Sequence, residues 1–101
     1  MSKYGAVAVC EDGHRFASKA EARRYRELKA LAAAGEIADL ELQPRYPLEV
    51  NGRKIGAYVG DFRYCRGGVT ILEDVKGVKT PVYRLKKKLV AALYGIEILE
   101  T

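Results

Sequence analysis

Two helical stretches, each with its own start and stop signals, bracket a middle written in strand residues, and this layout restricts the chain to a few α/β arrangements. Ser18 is a good N-cap for a helix in which Ala20, Tyr25, Leu28, Leu31 and Ala32 recur at helical spacing, and Gly35 follows as a natural C′ residue. Thr80 caps the second helix with Pro81 at its first position. Val82, Leu85, Leu89, Ala92 and Leu93 give it an apolar stripe, and Gly95 ends it. Between the helices, 45–50 read as a strand, Asn51-Gly52 as a turn and 54–65 as a second strand. Gly67-Gly68 turns the chain into 69–76, the most β-like run and therefore the expected centre of the sheet. Residues 41–44 are read as a polar link and 96–99 as a last short strand. Ahead of the first helix, 6–9 and 14–17 flank Glu11-Asp12-Gly13, where Asp-Gly signals a hairpin.

The chain of 101 residues is long enough for one hydrophobic core, and it contains no repeat, low-complexity tract or linker. A single domain over residues 1–101 is expected. Cys10 and Cys65 lie far apart, and Cys10 with His14 does not make a zinc pattern. No segment approaches membrane-spanning length and the start lacks the apolar stretch of a signal peptide, so a soluble, cytoplasmic protein without a membrane partner is expected.

A net charge of +5 favours an anionic partner, but its distribution says more. Residues 76–88 hold six cations and no acid, and Arg15, Lys19, Arg23, Arg24 and Arg26 cluster around the first helix. These flanks surround an acidic centre. In a strand, side chains alternate, so Asp74 and Lys76 share a face with Leu72 while Glu73 points the other way with Ile71 and Val75. Asp61 sits in the apolar run Val59-Gly60-Asp61-Phe62, where an unpaired carboxylate is costly to bury; a cation shared with other acids removes that cost, and so does pairing with Arg63 or Arg45. Glu21 falls on the apolar stripe of its own helix, with Tyr25, Leu28 and Ala32 within about 40° of it. Two readings of Glu21 stay open. It completes a capping box by bonding back to the Ser18 amide, or it leans over the sheet toward a metal. Acids from a helix and two strands, with one lysine, can hold a hard divalent cation against a phosphate, so metal-assisted phosphodiester cleavage leads.

Asp61, then Asp74-Val75-Lys76, with Glu21 on a preceding helix and the order αβββαβ, resembles the PD-(D/E)XK nuclease superfamily. Ser18 to Tyr25, Leu40-Glu41-Leu42-Gln43-Pro44, Asp61-Phe62 and Glu73 to Gly77 look like a small phage-type branch, similar in layout to archaeal-type Holliday junction resolvases. Gly60, not Pro, precedes Asp61. The resemblance implies a restriction-endonuclease-like core, a mixed sheet flanked by helices, with the short hairpin at its start. It implies that Asp61 and Asp74 ligate Mg²⁺, for which Mn²⁺ substitutes, with the Val75 carbonyl and with Glu21 completing the shell. Lys76 would orient the attacking water and offset charge on the phosphoryl group. Glu73 is expected to be structural, and Gln43 either near the site or satisfying backbone groups.

The expected activity is a Mg²⁺-dependent, structure-selective DNA endonuclease, first of all a Holliday junction resolvase working as a homodimer on branched or duplex DNA. If the chain is phage-encoded, it acts in the host cytoplasm. Arg23, Lys79, Tyr83, Arg84, Lys86 and Lys87 are the candidate DNA contacts, with Lys86 expected closest to the acids; a solvated helix face explains the same residues blandly. Competing functions are a nuclease acting on other DNA structures with a partner, and a catalytically silent nucleic-acid-binding module.

Overall fold

The computed structural model describes residues 8–101. Residues 6 and 7 of the expected opening strand lie outside the described residues, and the hairpin is formed by β1 (Val9–Glu11) and β2 (His14–Phe16). Its turn is Asp12-Gly13, both at positive φ, as an Asp-Gly hairpin requires. Asp12 and Glu11 fasten it to the first helix, α1 (Lys19–Ala33): Asp12 accepts from the Tyr25 hydroxyl at 2.8 Å and pairs with Lys29, and Glu11 pairs with Arg26 at 3.1 Å. Ser18 caps α1 by accepting from the Glu21 amide, and Gly35 leaves it at φ 78°.

The main sheet has four strands in the order β3 (Ala38–Leu42), β6 (Phe62–Arg66), β7 (Val69–Asp74), β8 (Ile98–Glu100). The first three are antiparallel, and β8 runs parallel to β7 after the crossover helix α2 (Pro81–Tyr94). The most β-like run is therefore an interior strand, as its composition indicates. A separate hairpin, β4 (Arg45–Val50) and β5 (Arg53–Val59), turns at Asn51-Gly52 and packs against α2. Two cores result, one on each face of the main sheet. Phe62 and Tyr64 meet α1 through Ala22, Tyr25 and Leu28, while Leu72 and Ile98 meet Tyr83 and Val90 of α2 and Leu48 and Tyr58 of the hairpin. The molecule is an α/β fold with a mixed sheet and a helix on either side.

Three expectations need correction. The link at 41–44 overlaps a strand, β3, whose Leu40 and Leu42 pack under α1 although Asp39 and Glu41 interrupt them. The run 54–65 is two strands in two different sheets, broken at Gly60-Asp61. Gly60 is buried against Leu72, whose Cδ1 would lie 2.8 Å from an added Cβ, so the chain can cross between the sheets only where a side chain is missing. The apolar stripe of α2 is not its buried face: Val82 is 62% and Leu85 57% exposed, and Tyr83 and Val90 enter the core instead. Apolar residues occupy so much of this helix that the pattern cannot choose between faces, and the gap between hairpin and sheet, which fits the Tyr83 ring, decides.

Candidate functional site

Asp61 owes its position to the break between β5 and β6. The Gln43 amide donates to the Asp61 carbonyl and the Gly60 amide to the Pro44 carbonyl, at 3.0 and 2.9 Å, while the Asp61 amide donates to Glu73 on β7 at 3.0 Å. Gln43 thus acts here through its backbone, at φ 52°. The Asp61 side chain accepts from the Val75 amide at 2.7 Å, just beyond the end of β7. Neither arginine named as an alternative partner is used. Arg63 bonds Glu41 and the Tyr46 hydroxyl, and Arg45 is exposed.

Asp74 is buried at the end of β7, where it accepts from the Tyr58 hydroxyl and pairs with Lys76 at 3.2 Å. The Lys76 ammonium also lies 4.2 Å from the centre of the Tyr83 ring, a cation–π contact that limits where it can go. Asp61 and Asp74 face one another. Burial, and then the Asp74 carboxyl, push the Asp61 pKa well above the usual carboxylate range, against the Val75 amide, which favours its charge; the nearby Glu21 charge adds to the upward push. Glu21 is itself shifted up, chiefly by burial, with Asp74 raising it and Lys76 opposing. Its carboxylate accepts from the Ala17 amide at 3.3 Å, one residue earlier than the Ser18 amide expected of a capping box, so the cap and the approach to Asp74 coexist.

Three acids and a lysine from one helix and two strand ends are therefore brought together, as the sequence spacing predicts. Among the described residues, however, no three His, Cys, Asp or Glu side chains stand in a ready metal-binding cluster, and Lys76 is Asp74's nearest cation. Beside the acids opens a groove of about 870 Å³, lined by Glu21, Val75 and Lys76 and by Arg23 and Arg24. A second groove of about 690 Å³ follows α2 and contains Lys79, Tyr83, Arg84 and Lys87. Lys86, expected nearest the acids, lines neither.

Glu73 lies on the opposite face from Asp74, fully buried, with the Arg24 guanidinium on it at 2.9 and 2.7 Å, the Tyr64 hydroxyl bonded to it and Thr101 at 3.3 Å. Burial works against its charge, but these donors outweigh it and hold the carboxyl below its usual range. Glu73 is structural, as read from its alternation. Two neighbours of the acids escaped sequence reasoning. Tyr58 could have been found as a tyrosine on a buried strand face, which needs a partner for its hydroxyl. Glu100 could not, because only the parallel register of β8 sets it opposite Asp74.

Residues 1–98 match the family model described as "Protein of unknown function (DUF1064)", and the chain belongs to that family. No curated protein and no solved structure matches it.

Proposed function

We propose that this member of the family is a metal-dependent DNA endonuclease with a PD-(D/E)XK-like core. The observation that carries the reading is the meeting of Glu21, Asp61, Asp74 and Lys76 beyond the end of β7, beside a groove edged by Arg23 and Arg24. With the β1–β2 and β4–β5 hairpins set aside, the elements α1, β3, β6, β7, α2, β8 follow one another in the αβββαβ order that the resemblance implies, with β3 in place of the expected strand 45–50. The donor set fits Mg²⁺ or Mn²⁺: it is all oxygen, and the half-buried Asp61 faces a second carboxyl, an arrangement a divalent cation would relieve. Asp61 and Asp74 would hold the ion, with the Val75 carbonyl, and Glu21 would complete the shell.

When bound, the cation would lower the pKa of an attacking water and draw charge from the phosphoryl oxygens. Lys76, leaning on the Tyr83 ring, orients that water and offsets negative charge developing on the phosphate. The Val75 amide fixes Asp61, and the Tyr58 hydroxyl fixes Asp74. Arg23 and the cations of α2 hold the flanking backbone by charge. Within this class a junction resolvase is the narrower proposal. It must cut two symmetric strands, and a two-fold pair of so small a domain does this economically.

The Lys76–Asp74 ion pair, together with the lack of a ready three-ligand cluster among the described residues, favours a second reading, a silent nucleic-acid-binding module. Side-by-side incubation of four-way junctions, flaps and linear duplex with Mg²⁺ or Mn²⁺ separates the two. Cleavage is expected, best on the junction, and Asp74→Asn abolishes it while binding stays equal or tightens, a repulsive charge having gone. An intact substrate in every lane leaves the binding module.

A further inference from the structure

The cations of α2 are not simply displayed to solvent. Glu100, at the end of β8, accepts the Tyr83 hydroxyl at 2.7 Å and pairs with the ammonium groups of Lys79 at 2.9 Å and Lys87 at 3.3 Å. Positions 79, 83 and 87 are four apart, so the donors stack along one side of the helix and the residue leading into it. Together they surround a single planar anion. Arg84 and Lys88, also four apart, line the same groove and have no carboxylate partner among the described residues; Arg84 bonds only the Lys79 carbonyl, at 3.3 Å. Four cations thus meet two carboxylates, Glu97 and Glu100, along this wall, and the balance stays positive.

We propose that this groove is a second phosphodiester subsite, in which Glu100 keeps the place of a backbone phosphate until a nucleic-acid strand arrives. A phosphodiester, like a carboxylate, spreads one negative charge over two terminal oxygens, so the exchange keeps both charge and donor count. Arg84 and Lys88 supply the surplus attraction that draws the strand in. Glu100 is partly exposed and can swing to water once replaced. The subsite adjoins the acids directly, since the ring of the same Tyr83 faces Lys76. The proposal rests on the nucleic-acid partner proposed above but does not need cleavage.

The test is fluorescence anisotropy of a short labelled duplex across a salt series, in EDTA so that no cutting intervenes. Lys79→Ala, Lys87→Ala and Lys88→Ala each weaken binding and reduce the slope of log affinity against log salt by about one. Glu100→Gln keeps the shape, releases both lysines and tightens binding severalfold, with the wild-type slope, because the same phosphates are met. A Glu100→Gln slope steeper by about two means that Glu100 never lets go in the wild-type complex, and unchanged affinity in the lysine variants means no strand lies there; either overturns the subsite. Inorganic phosphate that binds wild type and not Lys88→Ala, yet at saturation leaves duplex affinity unchanged at matched ionic strength, assigns the groove to the free ion and overturns its role on a strand. Lys88→Ala breaks no ion pair, so the test survives if the Glu100 variant does not fold. A protein that binds as described yet cuts nothing with Mg²⁺ loses the nuclease reading alone, and one that cuts while these variants bind normally loses the subsite alone.

Discussion

Glu21 caps its helix through the Ala17 amide while its charge is felt by Asp61, so one substitution separates two roles. Glu21→Gln preserves the shape and removes the charge. Its melting temperature is expected to stay within a few degrees of wild type while cleavage with Mg²⁺ is lost; full activity would take Glu21 out of the site. Glu73 gives a contrasting pH test. Its carboxyl titrates lower in the folded chain than in the unfolded one, so the stability it contributes is complete above the ordinary glutamate range and disappears as pH falls through the folded value. Urea titrations should show that acid-dependent loss in wild type and its absence in Glu73→Gln, which also starts about 2 kcal/mol or more below wild type at neutral pH, since the part-buried Arg24 is left without its main partner. The acids were legible because a carboxylate within an apolar run must have a partner somewhere. Which partner it has was legible only for neighbours in sequence: Lys76 could be placed beside Asp74 by counting, whereas Tyr58 reaches Asp74, and Glu100 reaches Tyr83 and its lysines, through pairings that no local pattern encodes.

The elements with chemical punctuation were readable: both helices begin at a hydroxyl cap and end by a glycine, and the three tight hairpins among the described residues turn at Asp-Gly, Asn-Gly and Gly-Gly. Strand β3 lacks such marks, since its apolar residues are diluted by Asp39 and Glu41. The break inside 54–65 was hidden for the opposite reason, its residues being strand-like on both sides of Gly60. That glycine is the element-scale test. Gly60→Ala has ordinary backbone geometry but presses a methyl group into the fully buried Leu72, and a loss of about 1–3 kcal/mol is expected in chemical denaturation. Because Asp61 is the next residue, activity measured well below the melting point should fall as well. Wild-type stability in this variant would mean that the crossing between sheets is looser than described.

As a whole the molecule is a slab of 40 × 39 × 20 Å with a radius of gyration of 14.5 Å, against about 13 Å for a compact chain of this length. No helix among the described residues is long and apolar enough to cross a membrane. The apolar flank of α2 leaves Val82, Leu85 and Leu93 uncovered, surface that a second copy of the chain would cover. Sedimentation at micromolar concentration is expected to give a dimer, and if the pair forms through this flank, Leu85→Asp returns a monomer that still binds duplex. A wild-type monomer would end the resolvase proposal and leave the nuclease one untouched.

β8, last of the sheet in chain order, lies directly against the acids: the Thr101 amide donates to the Asp74 carbonyl at 3.0 Å and the Lys76 amide to the Thr101 carbonyl at 3.2 Å. A chain cut before residue 98 would carry its acids without the strand that fixes Asp74 and Lys76, and without Glu100 among the lysines. The strands β3, β6 and β7 pair with one another and not through β8, so such a chain would keep an antiparallel sheet around an unassembled centre.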